Sequence, residues 1–281
     1  MITRLLRFIR FSHTVFALPF ALGSMLVAAG GWPPVRVWGL ILLCMVLART
    51  AAMAFNRLAD WEIDQRNPRT EGRHRLVTRG AAIGLFAVSA ALFVAATWWI
   101  NPLCFWLSPV ALALVCFYSL TKRFTHYSHF FLGLALSVSP VGAWLAVRGA
   151  FAFAPLVLAA AVVLWVAGFD LIYATQDYEF DRRSGLHSMV VRLGVPRSLR
   201  LAHALHWAML GVLVWYGYVT GLGSVYYGSL VGVAGALLYE HHSAQRLDLT
   251  GINRAFFWSN AVVGVIFVLG VAGAVFGGHA R

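Results

Sequence analysis

Long apolar blocks are the feature that most constrains this chain of 281 residues. A helix needs about 20 consecutive apolar residues to cross the hydrocarbon core of a bilayer. Only 11% of the residues are charged, against about 25% in soluble domains. The sequence therefore predicts an all-α membrane protein, a single domain over residues 1–281. Its bundle of about nine transmembrane helices corresponds to the blocks at residues 14–31, 37–56, 81–100, 103–120, 128–147, 151–173, 201–219, 225–240 and 256–276.

The few charged residues are unevenly distributed. The chain has 22 Lys and Arg against 10 Asp and Glu, a formal charge of +12. If nine spans alternate in direction, 18 of the basic residues fall on the side of the N-terminus and three on the other. Because basic loops stay in the cytoplasm, this predicts a multi-pass protein of the inner membrane with a cytoplasmic N-terminus. The bilayer is the expected partner, whereas a nucleic acid is not, and no obligate protein partner is evident.

The N-terminal segment before the first block is basic as well as apolar. Arg4, Arg7 and Arg10 alternate with apolar residues. This pattern is typical of a short helix on an anionic membrane surface.

Polar residues recur at every fourth position where the second apolar block ends. Asn56, Asp60 and Asp64 belong to the stretch NRLADWEIDQRNPRT, residues 56–70. At about 100° per residue these side chains share one face of a helix, and Arg49 falls on the same face. The pattern predicts a helix with a polar stripe that faces the protein interior.

The sixth apolar block ends in a related pattern. Asp170, Tyr173, Asp177 and Asp181 also share one helix face. Asp60 and Asp177 are separated by 117 residues, as are Asp64 and Asp181. The repeated D-x-x-x-D spacing predicts two related halves, about residues 1–147 and 148–281, around a central cavity.

Carboxylates that face one another repel unless cations lie between them. Mg²⁺ is the expected cofactor because it prefers oxygen ligands and shares its coordination shell with substrate phosphates. Basic residues near the motifs can neutralise the rest of a diphosphate. The chemistry indicated is metal-assisted departure of diphosphate, with counter-charge from Arg69, Arg73, Lys122 and Arg123.

The acidic residues also allow a solvated helix cap, a transport path or a structural contact between helices. A single D-x-x-x-D at a helix end is usually a solvated cap, but two copies at matching ends favour a site. A transporter places carboxylates along a path through the midplane, whereas these acids cluster at one face. Arg49 and Asp170 lie inside apolar blocks, at a cost of about 2.5 to 3.5 kcal/mol each on insertion scales, which favours function over a structural contact.

At these motifs the chain resembles the UbiA superfamily of intramembrane aromatic prenyltransferases. The family signature N-x-x-x-D-x-x-x-D running into R-T is matched by residues 56–70, and its second D-x-x-x-D by Asp177 and Asp181, with Gly185 and Ser188 following. The stretches at 10–14 and 118–123 extend the resemblance. Two positions depart from the family pattern: His74 follows Arg73 where proline is usual, and Asn67 replaces Val or Met.

The resemblance implies a helical bundle in which both motifs hold Mg²⁺ on a prenyl diphosphate. The metal ligands implied are Asn56, Asp60, Asp64, Asp177 and Asp181. The substrate-binding residues implied are Arg49, Asn56, Arg69, Arg73, Tyr118, Lys122 and Tyr173. Arg49 and Asp170 correspond to the aromatic end of the cavity.

The implied reaction transfers a polyprenyl group from polyprenyl diphosphate to the ring of an aromatic acid. Arg49 is expected to hold the acceptor carboxylate, and either Asp170 or Asp177 to act as the base. The expected acceptor is 4-hydroxybenzoate, in ubiquinone biosynthesis. The alternative is 1,4-dihydroxy-6-naphthoate, in menaquinone biosynthesis.

The remaining polar residues suggest no site by themselves. His203, His206 and the pair at 241–242 lack metal-ligand spacing and are expected to be solvated near the interface. His126 and His129 are expected in a cytoplasmic loop beside Lys122. Three residues are interpreted as small core side chains: Cys44, Cys104 and Cys116.

Overall fold

The computed structural model of the chain describes residues 5, 8, 9, 16–245 and 249–278, without the side chains of residues 73, 74 and 249–255. All regular secondary structure in these ranges is helical. The arginines of the predicted surface helix, Arg4, Arg7 and Arg10, and the stretch at 10–14 lie outside the described residues. The α-helices are α1 (Leu18–Ala29), α2 (Val35–Ala59), α3 (Trp61–Arg66), α4 (Arg79–Trp98), α5 (Pro102–Thr121), α6 (Ser128–Arg148), α7 (Phe153–Ala174), α8 (Tyr178–Arg183), α9 (Met189–Leu193), α10 (Val195–Thr220), α11 (Ser224–Ala244) and α12 (Leu249–Phe276).

Several of these helices are long and apolar enough to span a membrane. Within the described ranges there are six such segments, namely α2, α4, α5, α6, the segment Phe153–Arg183 that contains α7 and α8, and Phe256–Phe276 of α12. Each predicted apolar block overlaps a helix, but α1 has only 12 residues, and α10 and α11 carry charged and histidine side chains that lower their hydropathy. The multi-pass architecture is confirmed, and the count of nine spans stays a prediction.

Helix α7 lies at the centre of the bundle. Its side chains Leu158, Trp165 and Val166 have no exposed surface. It packs against α6 and α10 along its length and against α1 and α12. A second group, formed by α2, α4 and α5, joins the centre through contacts of α5 and α2 with α6. The deepest apolar core therefore surrounds α7, the helix that leads into the second acidic motif.

The two acidic motifs share the backbone conformation of one aspartate and a short helix that follows it. Helix α2 ends at Ala59 and α3 follows Asp60, whereas α7 passes through a 3₁₀ turn, Thr175–Asp177, into α8. Asp60 has φ −93° and ψ 14°, and Asp177 has φ −99° and ψ 3°. Helices α3 and α8 both have six residues and begin 117 positions apart. This local repeat supports the predicted relation between the motifs, while the division into two halves stays a prediction.

The predicted polar stripes are not single continuous helices. Helix α2 ends before Asp60, whose φ and ψ lie outside the α-helical region. Hydrogen bonds from Asp60 N to Asn56 O (2.9 Å) and from Asp64 N to Asp60 O (2.8 Å) nevertheless retain helical spacing. This retained spacing keeps the acidic side chains of the motif on one face of the segment.

The expectation of solvated histidines is wrong for His206 and His241. His206 is 1% exposed, and its ring nitrogens lie 2.9 Å from His241 Nε2 and 3.2 Å from the Trp165 carbonyl oxygen. Nearby, Asn260 Nδ2 on α12 donates to Glu240 Oε1 on α11 at 3.0 Å. Burial is tolerated because these polar groups bind one another across helices.

Candidate active site

A cavity of about 290 Å³ opens where α2, α5 and α7 end. Every predicted metal-binding, substrate-binding or catalytic residue with a described side chain lines it, whereas Arg123, which was predicted to supply counter-charge, does not. Arg73 alone has its side chain outside the described set. The lining residues predicted from sequence are Arg49, Asn56, Asp60, Asp64, Arg69, Tyr118, Lys122, Asp170, Tyr173, Asp177 and Asp181. The fold thus brings both motifs and the basic residues to one chamber.

The first motif carboxylate, Asp60, is held by basic residues from the end of α5. Asp60 is 4% exposed, and Lys122 Nζ donates to its Oδ2 at 2.6 Å. Arg123 Nη2 donates to the Ala59 carbonyl at 2.6 Å and lies 3.5 Å from Asp60 Oδ1. Asn56 Nδ2 reaches Asp60 Oδ2 at 3.5 Å. The end of α5 therefore supplies counter-charge to the first motif.

Asp64 is paired with an arginine that sequence reasoning treated only as a topological charge. Arg57 is 5% exposed, and its Nη1 lies 3.4 Å from Asp64 Oδ2. The same guanidinium donates to Asn56 Oδ1 at 3.3 Å and to the Phe8 carbonyl at 3.4 Å. The spacing of seven residues between Arg57 and Asp64 was the available signal, because two helical turns return to the same face.

The second motif is bound by the loop that follows the first. Arg69 Nε donates to Asp177 Oδ1 at 2.8 Å, its Nη2 to Asp177 Oδ2, and its Nη1 to the Tyr173 hydroxyl at 2.9 Å. Asn67 Nδ2 adds a bond of 3.1 Å to Asp177 Oδ1, and Asn67 Oδ1 accepts from Arg69 N at 2.9 Å. Sequence reasoning noted Asn67 only as a departure from the family pattern.

The electrostatics of Arg69 follow from this contact. Burial by itself lowers the pKa of the guanidinium, but hydrogen bonding to Asp177 and the nearby acidic groups raise the pKa above its ordinary value. Arg69 therefore stays charged, and it lies 5.3 Å from the centre of the Tyr173 ring.

Asp170 forms a contact that the sequence did not predict. His129 Nδ1 lies 2.6 Å from Asp170 Oδ2, and His129 is 3% exposed. His129 was expected in a loop, but it lies in the first turn of α6 and faces α7. Helix α6 comes close to α7 one turn later, where a Cβ on Gly133 would lie 2.7 Å from the Val163 carbonyl oxygen. The close packing of these helices brings His129 and Asp170 together.

Aromatic rings form another wall of the cavity. Phe256 of α12 lies 5.5 Å from Phe16, 5.3 Å from Phe169 and 4.8 Å from Tyr173, measured between ring centroids. The chamber therefore joins a strongly charged end to an apolar, aromatic surface. Such a surface suits an amphiphile with an anionic head and an apolar tail.

The chain after the second motif folds back over this end. Gly185 has φ 67°, and Leu186 N donates to the Asp181 carbonyl at 3.0 Å, which ends α8 in a Schellman motif. His187 N then donates to the Lys122 carbonyl at 2.9 Å. This turn ties the second motif to the segment that bears Lys122.

The carboxylates have a donor set that fits Mg²⁺. Across the described part of the chain, no three His, Cys, Asp or Glu side chains converge closely enough to hold a metal. Asp60, Asp64 and Asp177 are instead paired with Lys and Arg. However, Asp60 Oδ1 is buried and accepts no hydrogen bond from a described residue. These carboxylate oxygens line one chamber, and oxygen ligands are the kind that Mg²⁺ prefers.

Comparison with known proteins identifies the family. The profile of the UbiA prenyltransferase family matches residues 17–261. The chain belongs to this family. It is therefore a prenyltransferase, and the resemblance inferred from the motifs is confirmed.

Relatives and solved structures agree with this assignment. The 4-hydroxybenzoate octaprenyltransferase of Alkalilimnicola ehrlichii is 31% identical over 250 residues, 88% of this chain and 85% of the relative. The enzyme of the same name from Vibrio cholerae is 32% identical over 256 residues, 89% of this chain and 88% of the relative.

Among solved structures, the apo UbiA homologue from Aeropyrum pernix is 31% identical, with a TM-score of 0.83 over 92% of this chain and 96% of that chain. A UbiA homologue from Archaeoglobus fulgidus, bound to GPP and Mg²⁺, has a TM-score of 0.75 at 20% identity and covers 97% of this chain and 99% of its own. The second similarity shows the fold alone.

Proposed function

We propose that this UbiA-family protein transfers a polyprenyl group from a polyprenyl diphosphate to the ring of 4-hydroxybenzoate, in a Mg²⁺-dependent step of quinone biosynthesis. The observation that carries the proposal is the single cavity that joins both D-x-x-x-D motifs, Arg69 and Lys122 to an aromatic wall. The octaprenyltransferase relatives favour 4-hydroxybenzoate as the acceptor, and the homologue with GPP and Mg²⁺ favours a prenyl diphosphate as the donor.

The charged end of the cavity is assigned to the diphosphate. Lys122, Arg69 and Arg73 bind its oxygens, and Asn56 with the four motif aspartates holds Mg²⁺. Bound Mg²⁺ supplies positive charge that stabilises a departing diphosphate. The Arg and Lys side chains stabilise the same developing charge as the allylic C–O bond breaks.

The apolar part of the cavity is assigned to the prenyl chain and the aromatic ring. Phe16, Phe169 and Phe256 exclude water, which would otherwise quench the allylic cation. Tyr118 and Tyr173 line the space between the two ends. Arg49 pairs with the acceptor carboxylate through a charge-assisted, bidentate contact.

The membrane arrangement is also proposed. Nine spans, with the N-terminus and the cavity mouth on the cytoplasmic side of the inner membrane, agree with the asymmetry of Lys and Arg. The repeated motif backbone agrees with two related halves.

The purified protein in detergent tests the reaction. It is incubated with a polyprenyl diphosphate, Mg²⁺ and either 4-hydroxybenzoate or 1,4-dihydroxy-6-naphthoate, and the products are identified by mass spectrometry. We expect prenylated 4-hydroxybenzoate and no product after chelation of the metal. Prenylation of the naphthoate alone would overturn the acceptor, and product formation in excess chelator would overturn the metal.

Variants test the motif assignment. Asp60→Asn and Asp177→Asn are each expected to lower turnover about a hundredfold or more, because transition-state charge stabilisation is lost. Glu62→Gln is the matched control, since Glu62 is an exposed acid in the same segment that does not line the cavity. Unchanged turnover in both aspartate variants would contradict the metal-site proposal.

A further inference from the structure

We propose that His129 accepts the proton of the acceptor hydroxyl, and that Asp170 is the residue that positions it. This inference rests on the proposed transfer to a hydroxylated aromatic acid. In this proposal the base is the imidazole of His129, oriented by the Asp170 carboxylate. Neither Asp170 nor Asp177 takes the proton directly.

The contact between the two side chains assigns one proton of the imidazole, the one on Nδ1. An ionised carboxylate only accepts hydrogen bonds, so the bond of 2.6 Å between Asp170 Oδ2 and His129 Nδ1 requires a proton on Nδ1. A neutral imidazole with its proton on Nδ1 has a lone pair on Nε2. The pair therefore has the arrangement in which a carboxylate orients a histidine base.

The surroundings of the second ring nitrogen, Nε2, also support a base. His129 Nε2 is buried and makes no hydrogen bond with the residues that the structure describes. More than about 90% of buried polar groups in proteins are satisfied, and an unsatisfied one costs about 1–3 kcal/mol. His129 lines the cavity together with Arg49. A ligand hydroxyl that donates to Nε2 would satisfy this nitrogen when the acceptor binds.

The neighbouring carboxylates are less suited to take the proton. Both oxygens of Asp177 accept hydrogen bonds from Arg69, and Asn67 adds a third. Hydrogen bonds to the charged form of a carboxylate disfavour its protonation. A proton on Asp170 would remove the charge that holds His129 Nδ1–H in place. His129 Nε2, by contrast, is a basic atom of a lining residue that no described donor engages.

All protons and bonds of the prenyl transfer are accounted for. The acceptor O–H bond breaks and its proton moves to His129 Nε2, while the prenyl C–O bond breaks and diphosphate leaves with the electron pair. A ring carbon forms the new C–C bond with the allylic carbon. The ring C–H proton then leaves and the oxygen regains a proton from His129, so that one proton and one diphosphate are released for each prenyl group transferred.

Chemical rescue tests the role of His129 in the full-length protein. We expect His129→Ala to lower kcat for 4-hydroxybenzoate about 10²- to 10⁴-fold, the usual contribution of a general base, with little change in KM for the prenyl diphosphate. Added imidazole should restore part of this rate and should not accelerate His242→Ala, whose exposed histidine lies outside the cavity. No rescue of a variant that still binds geranyl diphosphate would overturn the proposal.

A second variant separates the base from the contact with Asp170. In His129→Asn the amide can still donate to Asp170 but offers no basic nitrogen, so it should be as slow as His129→Ala. Wild-type turnover in His129→Asn would overturn the base role. Because Asp170 acts through His129, adding Asp170→Asn to His129→Ala should slow the reaction no further; an additive loss would overturn the positioning role.

The wild-type protein separates this proposal from the proposed function. If it prenylates neither acid, the proposed function fails before His129 is tested. If it prenylates either acid, the two His129 variants are judged with that acceptor.

Discussion

At the residue scale, the position of Arg49 on α2 bears on the proposed binding of the acceptor. It precedes Asn56 by seven residues on α2, which corresponds to about 10 Å of helix rise. Both side chains line the same cavity. A guanidinium at that depth matches an aromatic acid whose carboxylate is directed away from the departing diphosphate.

Replacement of Arg49 tests this match. We expect Arg49→Ala to raise KM for 4-hydroxybenzoate about 10- to 100-fold, because a hydrogen bond between charged groups contributes about 1.5–3 kcal/mol. KM for the prenyl diphosphate should change little. Steady-state kinetics with each substrate varied in turn measure both values. Equal increases in the two would indicate general damage instead of loss of the acceptor contact.

Residue-scale prediction succeeded where helical periodicity carries the information. The spacing of four residues predicted that Asp60 and Asp64 share one face of a helix, and in the structure both line the same cavity. Asn67 and His129 were missed because their partners, Asp177 and Asp170, lie on another segment of the chain. No local pattern encodes a contact over such a separation.

At the element scale, the approach of α6 to α7 determines whether His129 can meet Asp170. Gly133 is one turn beyond His129, and Val163 is two turns before Asp170, so all four face the same interface. A side chain at Gly133 would collide with the backbone of Val163. The absence of a side chain at Gly133 therefore permits the contact at the cavity.

Gly133→Ala is expected to separate the two helices and to lower both stability and turnover. Over-packing of a close interface costs about 1–3 kcal/mol. Gly142→Ala is the matched control, because Gly142 is on the same helix and its Cβ would meet nothing within 4 Å. The thermal midpoint in detergent and the prenylation rate are compared for both variants. A Gly133→Ala protein as stable and active as the control would contradict this account.

The hydrogen bond from Asn260 to Glu240 links α12 to α11. Glu240→Ala removes the acceptor, and we expect a loss of about 0.5–2 kcal/mol, the range measured for hydrogen bonds between membrane helices. Glu240→Gln retains an acceptor oxygen and should lose less. Unfolding by sodium dodecyl sulfate, followed by circular dichroism, measures the difference. Equal stability of Glu240→Ala and wild type would show that this bond contributes nothing.

Hydropathy located the helices because apolar blocks must be buried in lipid or protein. It did not detect the interruptions of the α-helix at Asp60 and Asp177, which depend on backbone dihedral angles. It also assigned His206 to the interface, since a single sequence does not show that His241 and the Trp165 carbonyl surround it.

At the scale of the whole molecule, the distribution of charge predicts the orientation in the membrane. The two segments at the acidic motifs, residues 57–79 and 182–200, carry 11 of the 22 Lys and Arg residues. Composition and the two motifs predicted a helical membrane prenyltransferase. They did not predict that α7 is the central helix, because centrality depends on which faces pack together.

Cysteine labelling tests the orientation. In a variant with Cys44, Cys104 and Cys116 replaced by Ala, single cysteines are introduced at the exposed positions Ser184 and Ala150. We expect Ala150→Cys to react with a membrane-impermeant maleimide applied to spheroplasts, and Ser184→Cys to react only after lysis. The opposite labelling pattern would reverse the proposed topology.

The ion pairs of Asp60 with Lys122 and of Asp177 with Arg69 also have a consequence for the catalytic cycle. A diphosphate that binds these cations must take them from carboxylates of the protein. When the product leaves, the same carboxylates are available to recapture them. If Arg69 and Lys122 bind the diphosphate as proposed, Asp177 and Asp60 compete with the product for them, and this competition limits how tightly the released diphosphate is retained.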